Sequence, residues 1–343
     1  MTFLSDLEFI WFSVFVILLT GYAILDGFDL GVGMLHLFGE NDGERRVILN
    51  SIGPVWDGNG VWLVTAGGAL FAGFPPIYAT FCSAFYFPIM ILLTGLIFRA
   101  VAIEFRSKQP MAWWRWSWDI MFTLASLIIS LTLGIALGNL IIGIPLDSHG
   151  EFIGTFWSFI NPYALLVGVM TTALFLMHGS IYLVMKTEGA LHDKLRERVN
   201  PSIIFFIMCY AITTAATLIY FPHMVQIVRD RWELFIIAVI NMFFIANIPR
   251  EISKGNDGWA FISSCGNIIC LMALYGVGTF PEVIRASNDP AALSLTIYNS
   301  ASSPKTLRIL LLIAMIGVPL VITYTIAIYK VFYGKVKLDP TSY

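Results

Sequence analysis

The sequence predicts an all-α protein that crosses a membrane about nine times, and three observations carry that expectation. Mean hydropathy is +0.80. Of the 343 residues, 58% are hydrophobic and only 12% charged, where soluble domains carry about 25% charged residues. Apolar runs of about 20 residues, the length a helix needs to span the hydrocarbon core, recur from one end of the chain to the other. Only helices and closed barrels satisfy the backbone in lipid, and unbroken runs of this length are helices.

The first run covers about 9–37 and follows Asp6 and Glu8 with no basic residue before it, so it lacks the start of a cleaved signal peptide and is expected to be retained. The second, about 52–71, opens Gly53-Pro54-Val55-Trp56-Asp57, where proline suits a first helical turn. The third, about 79–103, ends Phe98-Arg99 to Ile103-Glu104; the fourth, about 117–141, begins among Trp113, Trp114, Trp116 and Trp118, a belt suited to a membrane interface. Four more runs lie at about 160–185, 202–221, 232–249 and 259–277. Residues 278–307 are expected to be the only long loop, punctuated by Pro281, Asp289-Pro290 and Ser302-Ser303-Pro304, and the last run covers about 308–332. No internal repeat or low-complexity stretch interrupts the chain, so residues 1–343 read as a single integral membrane domain.

Charge orients these spans. With the N-terminus outside, fourteen of the 20 basic residues fall in inner loops or the C-terminal tail, including Arg45, Arg106, Arg115, Lys194 and Lys335. Five fall outside (Arg229, Arg231, Arg285, Lys305 and Arg308), and Arg99 lies within a span. The positive-inside rule therefore expects the N-terminus outside and the C-terminus in the cytoplasm.

Ionisable residues inside spans are costly and mark functional sites by default. On the first helix, Asp26, Asp29, Gly33 and His36 share one stripe, while Gly27 and Gly31 form a GxxxG seam on roughly the opposite side. Asp57 follows within a turn of the second helix's inner start, and Arg99 and Glu104 close the third. Asp26, Asp29, Asp57, Arg99 and Glu104 thus gather in the inner half of the membrane. A series of carboxylates there is what a proton entry path needs, because each must bind and release a proton. Bland readings stand beside this one. Asp57 and Asp119 suit the positive end of a helix dipole, Glu104 suits a pair with Arg106, Arg99 suits snorkelling to the headgroups, and Trp56 and Trp62 suit ordinary packing.

Other chemistries find little support. A net charge of −2 without a basic, aromatic-interleaved patch argues against nucleic acid. Cys82, Cys209, Cys265 and Cys270 form no CxxC or CxxCH and read as buried structural thiols. A bundle holding several haems needs intramembrane axial ligands, most often histidine. Here His149, His192 and His223 lie in loops or at edges, His36 lies near an inner end, and His178 alone sits deep and reads as a hydrogen-bonded core residue.

The run Gly21-Tyr22-Ala23-Ile24-Leu25-Asp26-Gly27-Phe28-Asp29-Leu30-Gly31-Val32-Gly33 resembles the first-helix signature of subunit II of cytochrome bd-type quinol oxidases. So do Asn41 to Arg46, Asn50 to Asn59, Val61 to Phe71, Phe98-Arg99, Phe105 to Lys108, Gly138-Asn139-Leu140, Asn161-Pro162-Tyr163 and the region from Pro319 to Gly334. The resemblance covers essentially the whole chain and is densest in the first 110 residues. It implies nine helices arranged as two four-helix bundles plus one peripheral helix, in a bacterial or archaeal cell membrane. It further implies an obligate haem-bearing subunit I that carries the quinol site, two b-type haems and one d-type haem, and it leaves open a small single-helix third subunit. Quinol would donate electrons for reduction of dioxygen to water. Asp26, Asp29, Asp57 and Glu104 match family acids associated with proton uptake, Glu104 standing where the family often has Asp. Trp56, Arg99 and Asn59 match the interface and haem environment, and Trp62 a position near a proposed dioxygen route. No catalytic residue or metal ligand is expected on this chain. Two alternatives remain at this stage: a proton-coupled transporter, and a scaffold for a haem subunit with no proton role.

Overall fold

In the computed structural model, residues 6–338 are described, and they form thirteen α-helices and two short strands. In chain order these are α1 (Leu7–Leu35), α2 (Asp42–Ile52), α3 (Trp56–Gly73), α4 (Pro75–Ala84), α5 (Tyr86–Phe105), α6 (Ala112–Ile142) and α7 (Pro162–Lys186). They continue with α8 (Gly189–Tyr220), α9 (His223–Asp230), α10 (Phe235–Ser253), α11 (Asp257–Thr279), β1 (Glu282–Ile284), α12 (Pro290–Leu293), β2 (Leu295–Thr296) and α13 (Pro304–Val331). Among the described residues, eight helices are long and apolar enough to cross a membrane. The ninth expected span is α3, whose 18 residues include Asp57 and Asn59 and dilute its apolar character. The connectivity still carries α3 from one end of the molecule to the other, because Ser302 N–H in the far loop donates to Gly73 O at 2.8 Å.

Two other boundaries differ from the sequence reading. The run at 79–103 divides into α4 and α5 around Phe85. Pro88 lies four residues past Ala84, where its ring would clash with that carbonyl in a continuous helix. The run at 202–221 is the apolar part of a longer helix, since α8 begins at Gly189 and projects three turns of charged residues beyond the apolar stretch before Pro201. The loop at 278–307 also contains structure: β1 pairs antiparallel with β2. It meets a second irregular stretch, residues 143–161, through Ile144 N–H to Arg285 O at 2.9 Å and Ser287 N–H to Ile144 O at 3.0 Å.

The helices pack as two groups, α1, α3, α5 and α6 on one side and α7, α8, α10 and α11 on the other, joined along α1–α7 and α6–α7. Helix α7 is 72% buried over its apolar window, whereas that of α13 is 0% buried, so α13 is peripheral. One end of the molecule collects Asp6 with Tyr298, Trp11 with Leu307 and Thr80 with Gly150. The other collects Arg45 with Asp119, Lys194 with Glu40 and Glu44, and Arg196 with Asp257. The basic residues expected inside therefore share one end. The extreme C-terminus, expected there too, falls beyond the described residues.

The GxxxG seam sets the centre of this arrangement. A Cβ on Gly31 would overlap the Phe175 carbonyl oxygen and the backbone of Gly179, and one on Gly27 would meet the Phe175 ring. Helices α1 and α7 thus touch backbone to backbone, as small residues permit. Gly31→Ala is expected to cost about 1–3 kcal/mol through overpacking, and so to lower the midpoint of a thiol-labelling melt that follows buried Cys209 and Cys270. Gly317→Ala, where nothing lies within 4 Å, is the control and should leave that midpoint no lower.

Candidate functional site

With α7 closing one side of α1, the polar stripe of α1 faces its other neighbours, and each level of the stripe finds a different partner. At the first level Asp26, fully buried, is held by Arg99 of α5. Arg99 Nη1 donates to Asp26 Oδ2 at 2.8 Å and Nη2 donates to Oδ1. This is the bidentate fork that arginine makes with carboxylates. Arg99 is only 2% exposed, so it does not reach to the headgroups. Tyr22, one turn further along α1, has a buried hydroxyl without a hydrogen-bond partner.

One turn towards the inner end lies Asp29, also fully buried. Asn59 of α3 donates through Nδ2 to Asp29 Oδ2 at 2.8 Å and to the Leu25 carbonyl at 3.3 Å. Tyr329 of α13 donates to Asn59 Oδ1 at 3.0 Å. Asp29 Oδ1 has no partner.

The third level closes the inner end of α1. His36 Nε2 contacts Asp119 Oδ1 of α6 at 2.5 Å, and Asp119 is fully buried. Arg106 donates to both oxygens of Asp119, and Arg45 of α2 donates to Oδ2 at 3.0 Å. Arg106 also reaches Asp42 at 2.9 Å, which accepts from Arg115 at 3.1 Å as well. Arg45 lies over the Trp116 ring at 4.9 Å, tying the knot to the tryptophan belt. Nearby Glu44 is kept below the usual carboxylate range, first by the Glu40 backbone N–H and then by Lys194. This knot was not singled out in the sequence, where Asp119 read as a helix-dipole residue. The signal available was an aspartate, two arginines and a histidine at expected inner ends, but nothing local linked them.

The remaining expected residues are spread out. Asp57 is exposed in the first turn of α3, and Glu104 is half-buried one turn past Arg99. Trp56 packs partly against the main apolar core. Trp62 lays its ring over Gly21 so closely that a Cβ there would collide with it. The structure therefore brings Asp26 and Arg99 together, and Asp29 and Asn59, while Asp57, Glu104 and Trp62 stand apart from those contacts.

The deepest histidine has no ring nitrogen left for a haem iron. His178 is engaged at both ring nitrogens: Nε2–H donates to the Ile24 carbonyl at 3.0 Å, which leaves Nδ1 to accept from the Ser264 hydroxyl at 2.7 Å. Its ring stacks on Phe261 at 4.8 Å, the hydrogen-bonded core histidine that the sequence suggested. His36 Nε2 is committed to Asp119, while its Nδ1 is buried without a partner. Among the described residues, no group of three or more His, Cys, Asp or Glu is placed to hold a metal ion.

Comparison with known proteins shows one family throughout. The sequence pattern described as "Cytochrome bd terminal oxidase subunit II" matches residues 7–332. The chain is 34% identical to "Cytochrome bd-I ubiquinol oxidase subunit 2" of Escherichia coli (strain K12), over 96% of this chain and 95% of that one. It is 33% identical to "Cytochrome bd ubiquinol oxidase subunit 2" of Bacillus subtilis (strain 168), over 99% of this chain and all of that one (100%). The fold matches a chain of the bd oxidase from Geobacillus thermodenitrificans with a TM-score of 0.79 at 20% identity, covering 96% of this chain and 99% of that chain.

The Asp119 knot carries a stability prediction. Breaking a buried ion pair by removing one partner costs about 3–5 kcal/mol, so Asp119→Asn should sharply reduce folded protein after detergent extraction. Asp57→Asn, at an exposed site, should stay within about 0.5 kcal/mol of the parent. Fluorescence-detected size exclusion with a heat step measures both.

Proposed function

Because the chain belongs to the cytochrome bd terminal oxidase subunit II family, we propose that it conducts protons from the inner side of the membrane towards a haem-bearing partner that reduces dioxygen. Members of this family are subunits of respiratory quinol oxidases in the bacterial inner membrane. The relatives from E. coli and B. subtilis are named for ubiquinol; for this chain the proposed donor is a quinol, oxidised on subunit I. The partner would hold the b-type and d-type haems, a division that His178, engaged at both ring nitrogens, supports from this side. The concentration of basic residues at one end supports an inner placement of that end.

The observation that carries the proton reading is Asp29. It is fully buried, Asn59 holds one of its oxygens, and the other has no partner. Arg99, the cation that α5 brings to this stripe, is spent on both oxygens of Asp26. A carboxyl group with no counter-ion of its own and an open lone pair is equipped to take up and pass on a proton. Asp26 has a different role in this proposal: locked to Arg99, it fixes α5 against α1. Glu104 and Asp57, nearer the inner end and accessible, serve as entry groups. Trp56 and Arg99 shape the side that meets the partner. For Trp62 the proposal is limited to lining a dioxygen route beside Gly21.

Asp29→Asn keeps the shape and the Asn59 contact but cannot carry a proton. In the purified complex it should lower quinol-dependent oxygen uptake by about two orders of magnitude or more, with the haem absorbance of the complex unchanged. Full turnover would rule out an obligatory role for Asp29. Loss of haem along with turnover would favour the scaffold reading.

A further inference from the structure

We infer that Tyr329 of the peripheral helix α13 is a positioning residue for Asp29, acting through the amide of Asn59. The inference rests on the reading of Asp29 as a proton-exchanging group. It begins from an oddity of α13. Among residues 321–330 of that helix, only Thr325, Ile328 and Tyr329 are even half-buried, and the rest face outward. A helix held against a bundle by apolar contact alone needs no hydroxyl at its contact point. Here the hydroxyl of Tyr329 reaches Asn59 Oδ1 at 3.0 Å.

The direction of the chain follows from hydrogen-bond inventory. Asn59 faces the Leu25 carbonyl, which can only accept, so the amide nitrogen must point to Leu25 and Asp29. Asn59 Oδ1 is then left towards Tyr329 and can only accept, so Tyr329 must donate. The series runs one way: Tyr329 O–H to the Asn59 carbonyl, then Asn59 N–H to Asp29 Oδ2. A donor on the amide oxygen polarises the amide and strengthens donation from its nitrogen. The Leu25 carbonyl, which only accepts, removes the competing orientation in which Asn59 would turn its oxygen to Asp29, and Tyr329 O–H reinforces the orientation that remains. The result is a carboxyl group with one oxygen fixed and its other oxygen, Oδ1, the single atom left for proton exchange.

Other groups around Asp29 do not substitute for this link. Asp26 and Tyr22 share its helix, Arg99 of α5 is bound to Asp26, and Tyr182 of α7 donates its hydroxyl to the Ser51 carbonyl at 2.8 Å. Tyr329 alone reaches the Asp29 amide partner from α13, and its ring sits edge-on to Phe28 at 6.5 Å, which Tyr182 stacks at 4.1 Å. Docking of the last helix and the hydrogen bonding of Asp29 are therefore coupled.

The test is infrared difference spectroscopy on the purified oxidase complex, with the Asp29 carboxyl band assigned by its loss in Asp29→Asn. Tyr329→Phe keeps the ring and removes the hydroxyl. It should move that band and lower quinol-dependent turnover about fivefold, the weight of one hydrogen bond, without loss of haem. Asn59→Leu should move the same band, and in its background Tyr329→Phe should add nothing, because the tyrosine acts only through the amide. An unmoved band in Tyr329→Phe overturns the inference, as does an undiminished tyrosine effect in the Asn59→Leu background. Full turnover in Asp29→Asn would instead sink the proton reading, and the band alone would then decide the link between Tyr329 and Asp29.

Discussion

The polar stripe of α1 is arranged around a contact that has no polar side chain in it, the approach of α1 to α7 at Gly31 and Gly179. Because backbone meets backbone there, one face of α1 is closed to side chains of any size. At 100° per residue, Asp26, Asp29, Gly33 and His36 are turned away from that face. They cannot face lipid at acceptable cost. The close contact therefore obliges the remaining neighbours of α1 to supply partners, and α3, α5 and α6 each do so at a different depth.

The three levels show three solutions to one electrostatic problem. Charge in a low dielectric needs either an opposite charge with good geometry or enough hydrogen bonds to replace water. Asp26 receives a whole arginine. Asp119 receives two, with a histidine besides, and Arg106 shares its charge with Asp42, so the knot is a network with its charges spread over four elements. Asp29 receives only an amide. The two strongly paired carboxylates bind helices together, and the weakly held one between them keeps an oxygen without a partner. Such a gradation along α1 leaves one weakly held carboxyl group without loosening the bundle around it.

How much of this was legible in the sequence depended on how local the cause was. The spans were readable because lipid imposes a length and a composition on each helix by itself. The GxxxG seam and the stripe opposite it were readable because both follow from the pitch of a single helix. Where the sequence reading slipped, the cause lay beyond a hydropathy window. Pro88 breaks the third run through a clash four residues back, and the start of α8 is helical although it lies outside the apolar region. Residue types in the site were also readable, but not their pairing. Asp26 meets Arg99 across 73 positions of sequence, Asp119 meets His36 across 83, and Asn59 meets Tyr329 across 270. No periodicity encodes such distances; only the packing of α1 decides which acid each helix can reach.

The same reasoning bears on α3, the expected span that falls outside the eight long apolar helices. Its first turn exposes Asp57 and Gly58, and further along Val61, Val64, Thr65, Gly68 and Phe71 are exposed as well. A Cβ added at Gly58, Gly60, Gly67 or Gly68 would meet nothing within 4 Å. A lone helix of this composition would gain little from lipid, whose chains neither fill glycine notches nor solvate a carboxylate. Another protein backbone can do both, since glycines admit close approach in membranes much as they do between α1 and α7. The exposed face of α3 therefore has the small-residue surface that admits close approach of another backbone. It stands directly across from Asp29, because α3 supplies the Asn59 that holds that acid. A single helix, α3, thus separates Asp29 from that exposed, glycine-notched surface.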